Sequence, residues 1–365
     1  MRGTILTLGL VLLACAGALK AEPAKLDIAD DADWSHQWTA MSFPARWGEF
    51  TRDGIYQFEA RETNVSAKYW DSDRDTLANL YLYRPGLAEA SIWHDRALVA
   101  LGASQTFGSE KVQGTRTASF TPSGGEAESG ILTIIAAEGE FRSTSVAIYS
   151  AGDWLVKLRV SSRSLDPDGL EEMVRDLIKR IPALTGHSKR QSYVMEACLD
   201  EVNYADADRP NRGNSGSGNE GSSDALFKPD DFIDRLKVKP DQTAKYCREG
   251  DGGLQGSVYR PIGAKDRYMV AIGDSGASLK VAPAASLDSV LSADSSEKPY
   301  FLVSLRTGDK VRVFMPFLTL PQPNQAMQVL MREPPFTTIE RGLGEEEPRV
   351  WVEPAENAPA SPRAN

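Results

Sequence analysis

The chain has few of the residues, and no complete set of the motifs, by which many hydrolases, metalloenzymes and nucleotide-binding enzymes are identified. Its 365 residues include three histidines and three cysteines. That supply is too small and too scattered for a four-ligand zinc site at finger spacing. No phosphate loop, dinucleotide fingerprint or zinc-protease helix is present. We therefore expect no metal ion and no cofactor, and we assign no catalytic residue.

Positive charge is also scarce. Lys and Arg number 41 against 51 Asp and Glu, so the formal net charge is -10 at pH 7. A surplus of carboxylates repels the phosphate backbone of nucleic acids. We therefore expect no nucleic-acid partner. The hydrophobic share of 41% is nevertheless ample for a packed globular core.

The most conspicuous apolar run lies at the N-terminus. Arg2 precedes a run over residues 3–13, and small residues follow, which is the order of a secretory signal peptide. The run is too short to span a bilayer. The pattern predicts a signal peptide over residues 1–21, cleaved after Ala21, with Ala18 as the alternative site. We expect a periplasmic or secreted mature chain without a transmembrane helix.

A second interpretation of this segment places the protein on a membrane surface. The stretch Leu12-Leu13-Ala14-Cys15 resembles a bacterial lipobox, in which Cys15 would carry the lipid and become the first residue. Leu13 is unusual at its place in that motif. Soluble export is the favoured hypothesis, and a lipoprotein anchored through Cys15 is the alternative.

Either form of processing leaves one pair of cysteines for the folded protein, Cys198 and Cys247. Because disulfides persist outside the cytoplasm, we predict that these two residues are bonded. The bond would close a loop of about 50 residues, worth about 4 kcal/mol in the chain-entropy model. The alternative is two unpaired buried thiols.

Residues 41–186 have the pattern of an α+β unit that follows an acidic segment, residues 22–40. Alternating polar and apolar residues mark several strands, most clearly over residues 153–162. Apolar residues at helical spacing predict helices over 88–102 and 165–182. Locally paired strands with one inserted and one terminal helix predict an antiparallel sheet covered by helices.

Some side-chain positions follow from these helices. Asp166 suits the N-cap of the second helix, and Pro167 suits its first helical position. In the first helix Trp93 faces the core, which would leave His94 at the solvent boundary.

The order of these elements resembles the sheet-and-helix domain of PsbP-like photosystem accessory proteins and their secreted bacterial relatives. The resemblance is one of layout over residues 41–184, and it includes Phe43-Pro44 near the first strand. It implies a fold and an exported bacterial protein, and it carries no activity.

Residues 187–341 are expected to form a second, β-rich α+β domain. Residues 190–202 suggest a helix, a polar Gly/Ser-rich loop at about 205–224 follows, and a helix near 323–333 comes after several strands. The tail, residues 342–365, is acidic and rich in proline, so we expect it to be disordered.

Residues 273–276 read Gly-Asp-Ser-Gly, the letters that surround the nucleophilic serine of chymotrypsin-like proteases. The Ala-Ala-His-Cys segment that would supply the base is missing, and a nucleophile without a positioned base loses most of its power. A hairpin explains the segment better, because it aligns apolar residues on one face. The predicted pairs are Tyr268 with Val281, Val270 with Leu279, and Ile272 with Ala277. Ser275 is then an exposed turn residue.

Two further motifs are weak. Residues 71–75, Asp-Ser-Asp-Arg-Asp, resemble the start of a calcium loop, but Thr76 and Leu82 stand where glycine and glutamate are required. A solvated turn is the favoured interpretation. Asn64 begins a glycosylation sequon of a kind that is common by chance.

The observations lead to two hypotheses about function. The favoured one is an exported cell-envelope protein that binds a protein or small-molecule partner, or supports an assembly, without catalysis. The alternative is a secreted hydrolase that uses Ser275 or carboxylates that the sequence does not single out.

Overall fold

The structure, a computed structural model, describes residues 23–102, 111–186, 188–209, 244–252, 256–284 and 300–352 apart from 345 and 347. Within these residues it is a mixed fold, rich in antiparallel strands and with three α-helices. In the same ranges, no helix combines the length and the apolar character needed to cross a bilayer. The predicted signal peptide, Cys15 and most of the Gly/Ser-rich loop lie outside the described residues.

The first large sheet is built from residues 24–162. In chain order the elements up to residue 180 are β1 (Ala24–Lys25), β2 (Trp34–Ser35), β3 (Ser42–Phe43), β4 (Arg46–Trp47), β5 (Phe50–Gln57), a 3-10 turn (Ala60–Glu62), β6 (Asn64–Asp71), β7 (Thr76–Tyr83), α1 (Ala90–Gly102), β8 (Lys111–Phe120), β9 (Gly130–Glu138), β10 (Ser143–Ala151), β11 (Trp154–Ser162) and α2 (Pro167–Arg180). The sheet order is β1-β5-β6-β7-β11-β10-β9-β8, with β4 also paired to β5. β2 and β3 form a separate small pair.

Local sequence signals explain how α2 begins. Asp166 is the N-cap, and its Oδ1 accepts a hydrogen bond from the backbone N–H of Gly169 at 2.9 Å. Pro167 occupies the first helical position, where its missing N–H would have no partner within the helix. The predicted cap is therefore confirmed.

One face of the first sheet packs against α2. Leu170 and Val174 of the helix share an apolar core with Val156, Leu158 and Val160, which are alternate residues of β11. Burying an aliphatic side chain of this size stabilises a fold by about 1.5–3 kcal/mol. The period-two pattern of β11 and the helical pattern of α2 thus meet in one core.

The second sheet is a simple meander in which each strand pairs with its neighbours in sequence. Its elements are β12 (Tyr246–Asp251), β13 (Gly256–Pro261), β14 (Tyr268–Ile272), β15 (Ala277–Ala284), β16 (Tyr300–Arg306), β17 (Lys310–Phe317), α3 (Pro323–Arg332), β18 (Thr337–Glu340) and β19 (Arg349–Val352). Ala326, Met327 and Val329 of α3 pack on one of its faces. β19 lies within the segment expected as a tail, and residues 353–365 are outside the described residues.

Residues 190–202 contain no helix and lie beside β12 instead. The backbone N–H of Cys198 donates to the carbonyl of Arg248 at 2.9 Å, and that of Arg248 donates to the carbonyl of Glu196 at 2.8 Å. The predicted disulfide between Cys198 and Cys247 is present, with the two Cα atoms 4.9 Å apart. The helical expectation is wrong because backbone groups at a strand edge offer this segment partners that its own residue spacing does not reveal.

Helix α1 lies between the two sheets. Trp93 belongs to one apolar cluster with Leu155 of the first sheet and with Tyr259 of the second. His94 is only 3% exposed, and its Nε2 is 3.0 Å from Thr133 Oγ1. The expectation of a solvent-facing His94 is wrong because protein covers two sides of this helix, and the periodicity of a single helix indicates only one.

Burial lowers the pKa of His94 to about 4, from an ordinary value of 6.5. The unfolded chain takes up a proton below pH 6.5, and the folded chain resists it. The free energy of unfolding is therefore undiminished by His94 above pH 6.5, and it decreases as the pH falls towards 4, because only the unfolded chain then binds the proton. The loss from this group should be about 3 kcal/mol.

We predict that His94→Gln loses less unfolding free energy than the wild type between about pH 7 and about pH 4.5. Glutamine can still hydrogen bond to Thr133 but does not titrate. Urea unfolding of both proteins at both pH values measures the difference. Equal losses in the two proteins would contradict the prediction.

Candidate functional site

The Gly-Asp-Ser-Gly segment is the tip of the β14–β15 hairpin, as predicted. The register pairs Tyr268 with Val281, Val270 with Leu279, and Ile272 with Ala277. The first two of these pairs lie in the apolar core beneath α3. Ser275 is exposed at the tip, so the predicted turn is confirmed.

The tip of this hairpin contacts the first sheet. Lys157 Nζ, on β11, donates to Asp274 Oδ2 at 2.8 Å and to the Asp274 carbonyl at 3.0 Å. Just beyond β7, the backbone N–H of Gly86 donates to the carbonyl of Gly276 at 2.9 Å. The residues that resemble a protease motif therefore join one sheet to the other.

Asn64 takes part in the same contact. Its side chain is in a residue only 4% exposed, and Nδ2 donates to the carbonyl of Ser275 at 3.2 Å. A side chain that is buried and engaged in this way cannot accept a glycan in the folded protein. The sequon is a structural asparagine here.

The environment of Lys157 explains why this contact is strong. The residue is 4% exposed, and Nζ lies 4.4 Å from the ring centroid of Tyr81 and 5.5 Å from that of Tyr83. Burial, and then the charge of Asp274, raises the pKa of both tyrosines, so both phenols keep their protons at neutral pH. Removing one member of a buried ion pair strands the other charge. The Lys157–Asp274 pair therefore joins the two sheets, and Asp274 is held by Lys157 rather than placed as a base for Ser275.

Neither described histidine bonds to Ser275. His36 Nε2 donates to the carbonyl of Glu62 at 2.9 Å, and His94 bonds to Thr133. His187 lies outside the described residues. The structure therefore brings a hydroxyl to the surface at Ser275 without joining it to an imidazole.

Residues 71–75 form the turn between β6 and β7. Asp71 Oδ1 accepts hydrogen bonds from the backbone N–H groups of Asp73 and Arg74 at 3.1 and 3.2 Å. An aspartate that binds its own backbone two and three residues on is a common turn device. Across the described part of the chain, no group of three or more His, Cys, Asp or Glu side chains is placed to hold a metal ion.

The contacts of Ser275, Asn64, the histidines and Asp71 thus assign structural roles to these motifs. No protein-family model, curated protein or solved structure matches this chain. Any functional assignment must therefore come from the residues and their geometry.

A charged cleft opens beside the turn that joins β5 to β6. Its volume is about 290 Å³, and its lining residues are Arg61, Glu340, Arg341, Gly342, Glu346 and Arg349. Arg61 is ion-paired to Glu346, whereas the side chain of Arg349 has no ion-pair or hydrogen-bond partner among the described residues. Arg341 is held by the carbonyls of Pro85 and Thr307, both at 2.9 Å. Sequence reasoning missed this cleft because its arginines come from segments that only the fold brings together.

Strained backbone holds Arg61 in this cleft. Arg61 and Glu62 have φ angles of 60° and 56°, in the left-handed region, which costs a non-glycine residue about 1–2 kcal/mol. Trp38 Nε1 donates to the carbonyl of Arg61 at 2.8 Å, and His36 donates to that of Glu62. Strain held by surrounding hydrogen bonds is typical of ligand-binding sites. The cleft is therefore our candidate binding site.

Alanine substitutions at two glycines of the hairpin tip distinguish backbone strain within the turn from crowding against the first sheet. Gly276 and Gly273 have φ angles of 95° and 61°, so alanine is strained at both. A Cβ on Gly276 would lie 2.8 Å from Tyr83 Cδ2 and 3.1 Å from Pro85 Cα, whereas one on Gly273 has only Ser275 Oγ nearby, at 3.9 Å.

We predict that Gly276→Ala lowers the free energy of unfolding by about 2 kcal/mol more than Gly273→Ala does, because overpacking adds to the shared strain. Denaturant unfolding of the two variants measures the difference, and Ser275→Ala serves as the exposed control. Equal effects of the two glycine substitutions would mean that the tip is not docked on the first sheet.

Proposed function

We propose that this protein is an exported component of the cell envelope that binds a partner without catalysis. The observation that carries the proposal is the use made of the protease-like tip. Asp274 is engaged by Lys157, the carbonyl of Ser275 by Asn64, and the described histidines by other groups. A hydrolase needs the opposite arrangement, with the serine joined to a positioned base.

The charged cleft supports a binding role. Arg61 is positioned by a strained turn, and Arg349 offers a guanidinium with no described partner. Planar guanidinium groups recognise carboxylate and phosphate groups through paired hydrogen bonds. A partner with anionic groups is therefore the kind that this cleft suits.

Export is supported by two observations. The N-terminal sequence has the order of a signal peptide ending at Ala21. The bond between Cys198 and Cys247 is of a kind that persists in oxidising compartments. A lipid anchor on Cys15 remains the alternative form of the same proposal.

The proposal includes the finer architecture expected from the sequence, with helices covering the first sheet as in the PsbP-like layout over residues 41–184. The packing of α2 against β11 and the position of α1 on the other side of the sheet support it. The second unit, residues 187–341, has its own apolar core beneath α3.

The noncatalytic part of the proposal predicts that a fluorophosphonate probe does not label Ser275. An exposed serine without a base has ordinary hydroxyl reactivity. Labelling of the folded wild type should equal that of Ser275→Ala, with a serine protease of the chymotrypsin type as the positive control. Labelling of the wild type that Ser275→Ala abolishes would establish the hydrolase instead.

Export predicts a processed N-terminus. When the full-length chain is produced in a Gram-negative bacterium, the protein released by osmotic shock should begin at Glu22 by mass spectrometry. Cys15→Ser should be released in the same form. An acylated Cys15 would establish the lipoprotein, and an intact N-terminus in the cytoplasm would overturn export.

A further inference from the structure

One face of the second sheet carries a compact group of polar side chains on β15 and β16. The register places Lys280 opposite Ser304, and Ser278 opposite Arg306. Lys280 and Ser278 are two residues apart, as are Ser304 and Arg306, so all four share one face of the sheet. Directly opposite residues have Cβ atoms about 5 Å apart, and diagonal neighbours lie about 7 Å apart, which is within reach of long side chains. The two cations are thus diagonal neighbours with a hydroxyl beside each.

Within the described residues, the side chains of these two cations have no counter-charge. Neither the Lys280 ammonium nor the Arg306 guanidinium forms an ion pair or a hydrogen bond there, and the buried Nε of Arg306 has no partner. Arg267, the next cation along this face, is already paired with Asp266. Burial, and then the charges of Arg306 and Arg267, lowers the pKa of Lys280 to about 8. That direction is expected for an ammonium group that lacks a carboxylate.

A neighbouring pair of arginines shows how this fold otherwise treats like charges. Arg84 and Arg341 also lie close together, and both approach the carboxylate of Asp153, at 3.0 and 4.0 Å. The chain has ten more acidic than basic side chains, so a carboxylate beside Lys280 would have been easy to supply. The described surroundings of Lys280 lack such a carboxylate, and an anionic ligand would supply the missing charge.

The members of the group differ in burial, and another part of the chain packs against one side of it. Ser304 is 3% exposed, whereas Lys280 and Arg306 are partly exposed, so the hydroxyl lies deeper than the two charges. Gly86 packs against Ser278 and Arg306, and a Cβ on that glycine would lie 2.8 Å from Arg306 Cβ. The loop between β7 and α1 therefore packs against one side of the group.

We propose that Lys280, Ser304 and Arg306 form a binding site for a phosphate-type oxyanion, free or as the phosphoryl group of a larger ligand. Two adjacent cations match the charge of a phosphate near neutral pH, which is between one and two negative charges. A guanidinium, an ammonium and a hydroxyl together supply donors for several phosphate oxygens. A carboxylate carries one charge and two oxygens, so it should fit less well. The inference goes beyond the proposed function, because this site is separate from the charged cleft around Arg61.

The test is calorimetric titration of the full chain with inorganic phosphate, glycerol phosphate and acetate, at constant ionic strength in chloride buffer. We expect saturable binding of one or both phosphates, and we expect acetate to bind at least about tenfold more weakly. The tighter of the two phosphate probes identifies a free ion or a phosphoryl group as the natural form. Absence of saturable phosphate binding, or tighter binding of acetate, would overturn the inference.

Variants locate the site. Lys280→Met and Arg306→Met should each weaken phosphate binding about tenfold or more, and Ser304→Ala should weaken it several-fold, because each removes a donor. Arg312→Gln removes an exposed cation from β17 of the same sheet and should leave the affinity within about twofold. Equal weakening by Arg312→Gln would reduce the effect to net charge and refute the site.

A stability measurement separates a ligand site from a purely structural role. In chloride, Lys280→Met should unfold at the same temperature as the wild type or higher, because it relieves two unpaired like charges. Phosphate should raise the unfolding temperature of the wild type and not that of the variant. A variant that unfolds earlier in chloride, with an unchanged response to phosphate, would overturn the inference. Failure of export or labelling of Ser275 would refute the proposed function and leave these titrations unaffected.

Discussion

Lys157 and Asp274 belong to different sheets, and their ion pair joins a buried ammonium group to a carboxylate that is one-third exposed. An unpaired buried charge is expensive, so burial of Lys157 is favourable only when Asp274 is in position. The pair therefore requires β11 and the β14–β15 tip to meet in one arrangement. The close approaches of Gly276 to Tyr83 and of Gly86 to Arg306 follow from that arrangement.

The meeting of the sheets also decides where charge is buried. The net charge of -10 describes the chain as a whole, but the region between the sheets is rich in cations, with Arg84, Arg341, Lys280 and Arg306 all on its borders. Local fields of this kind act over about one Debye length, roughly 8 Å at physiological salt. An acidic protein can therefore have a basic site. Its net charge predicts the interaction only with partners large enough to cover much of its surface.

Those features that depend on neighbouring residues could be predicted from the sequence. Alternation set the hairpin register of Tyr268 to Val281, and capping chemistry identified the start of α2 at Asp166. Counting cysteines was sufficient for the bond between Cys198 and Cys247, since only one pair was available. In each case the deciding interaction lies within one hairpin, one helical turn or one pair of residues.

What could not be predicted depends on which surfaces meet. Lys157 lies on a strand face that alternation alone would give to solvent, and it is buried because the tip of the second sheet covers it. His94 is buried because its ring faces Thr133 of the first sheet. Residues 190–202 are extended because β12 offers them an edge. The cleft around Arg61 and the cations at Lys280 and Arg306 are assembled from strands and turns whose spacing in the chain has no chemical signature.

The two sheets differ in how their strands are connected. Every strand of the second sheet pairs with the next in sequence. The first sheet is complete only when β11 pairs with β7, although one helix and three strands separate them in the chain. Contacts between distant segments are slow to form because the chain loses the entropy of closing a long loop before the stabilising contacts are made. The strands of the second sheet can pair one after another along the chain, but the tip at Asp274 has no docking surface until β11 has paired with β7. We therefore expect formation of the first sheet to limit the rate at which the whole molecule folds, although this part of the chain is synthesised first.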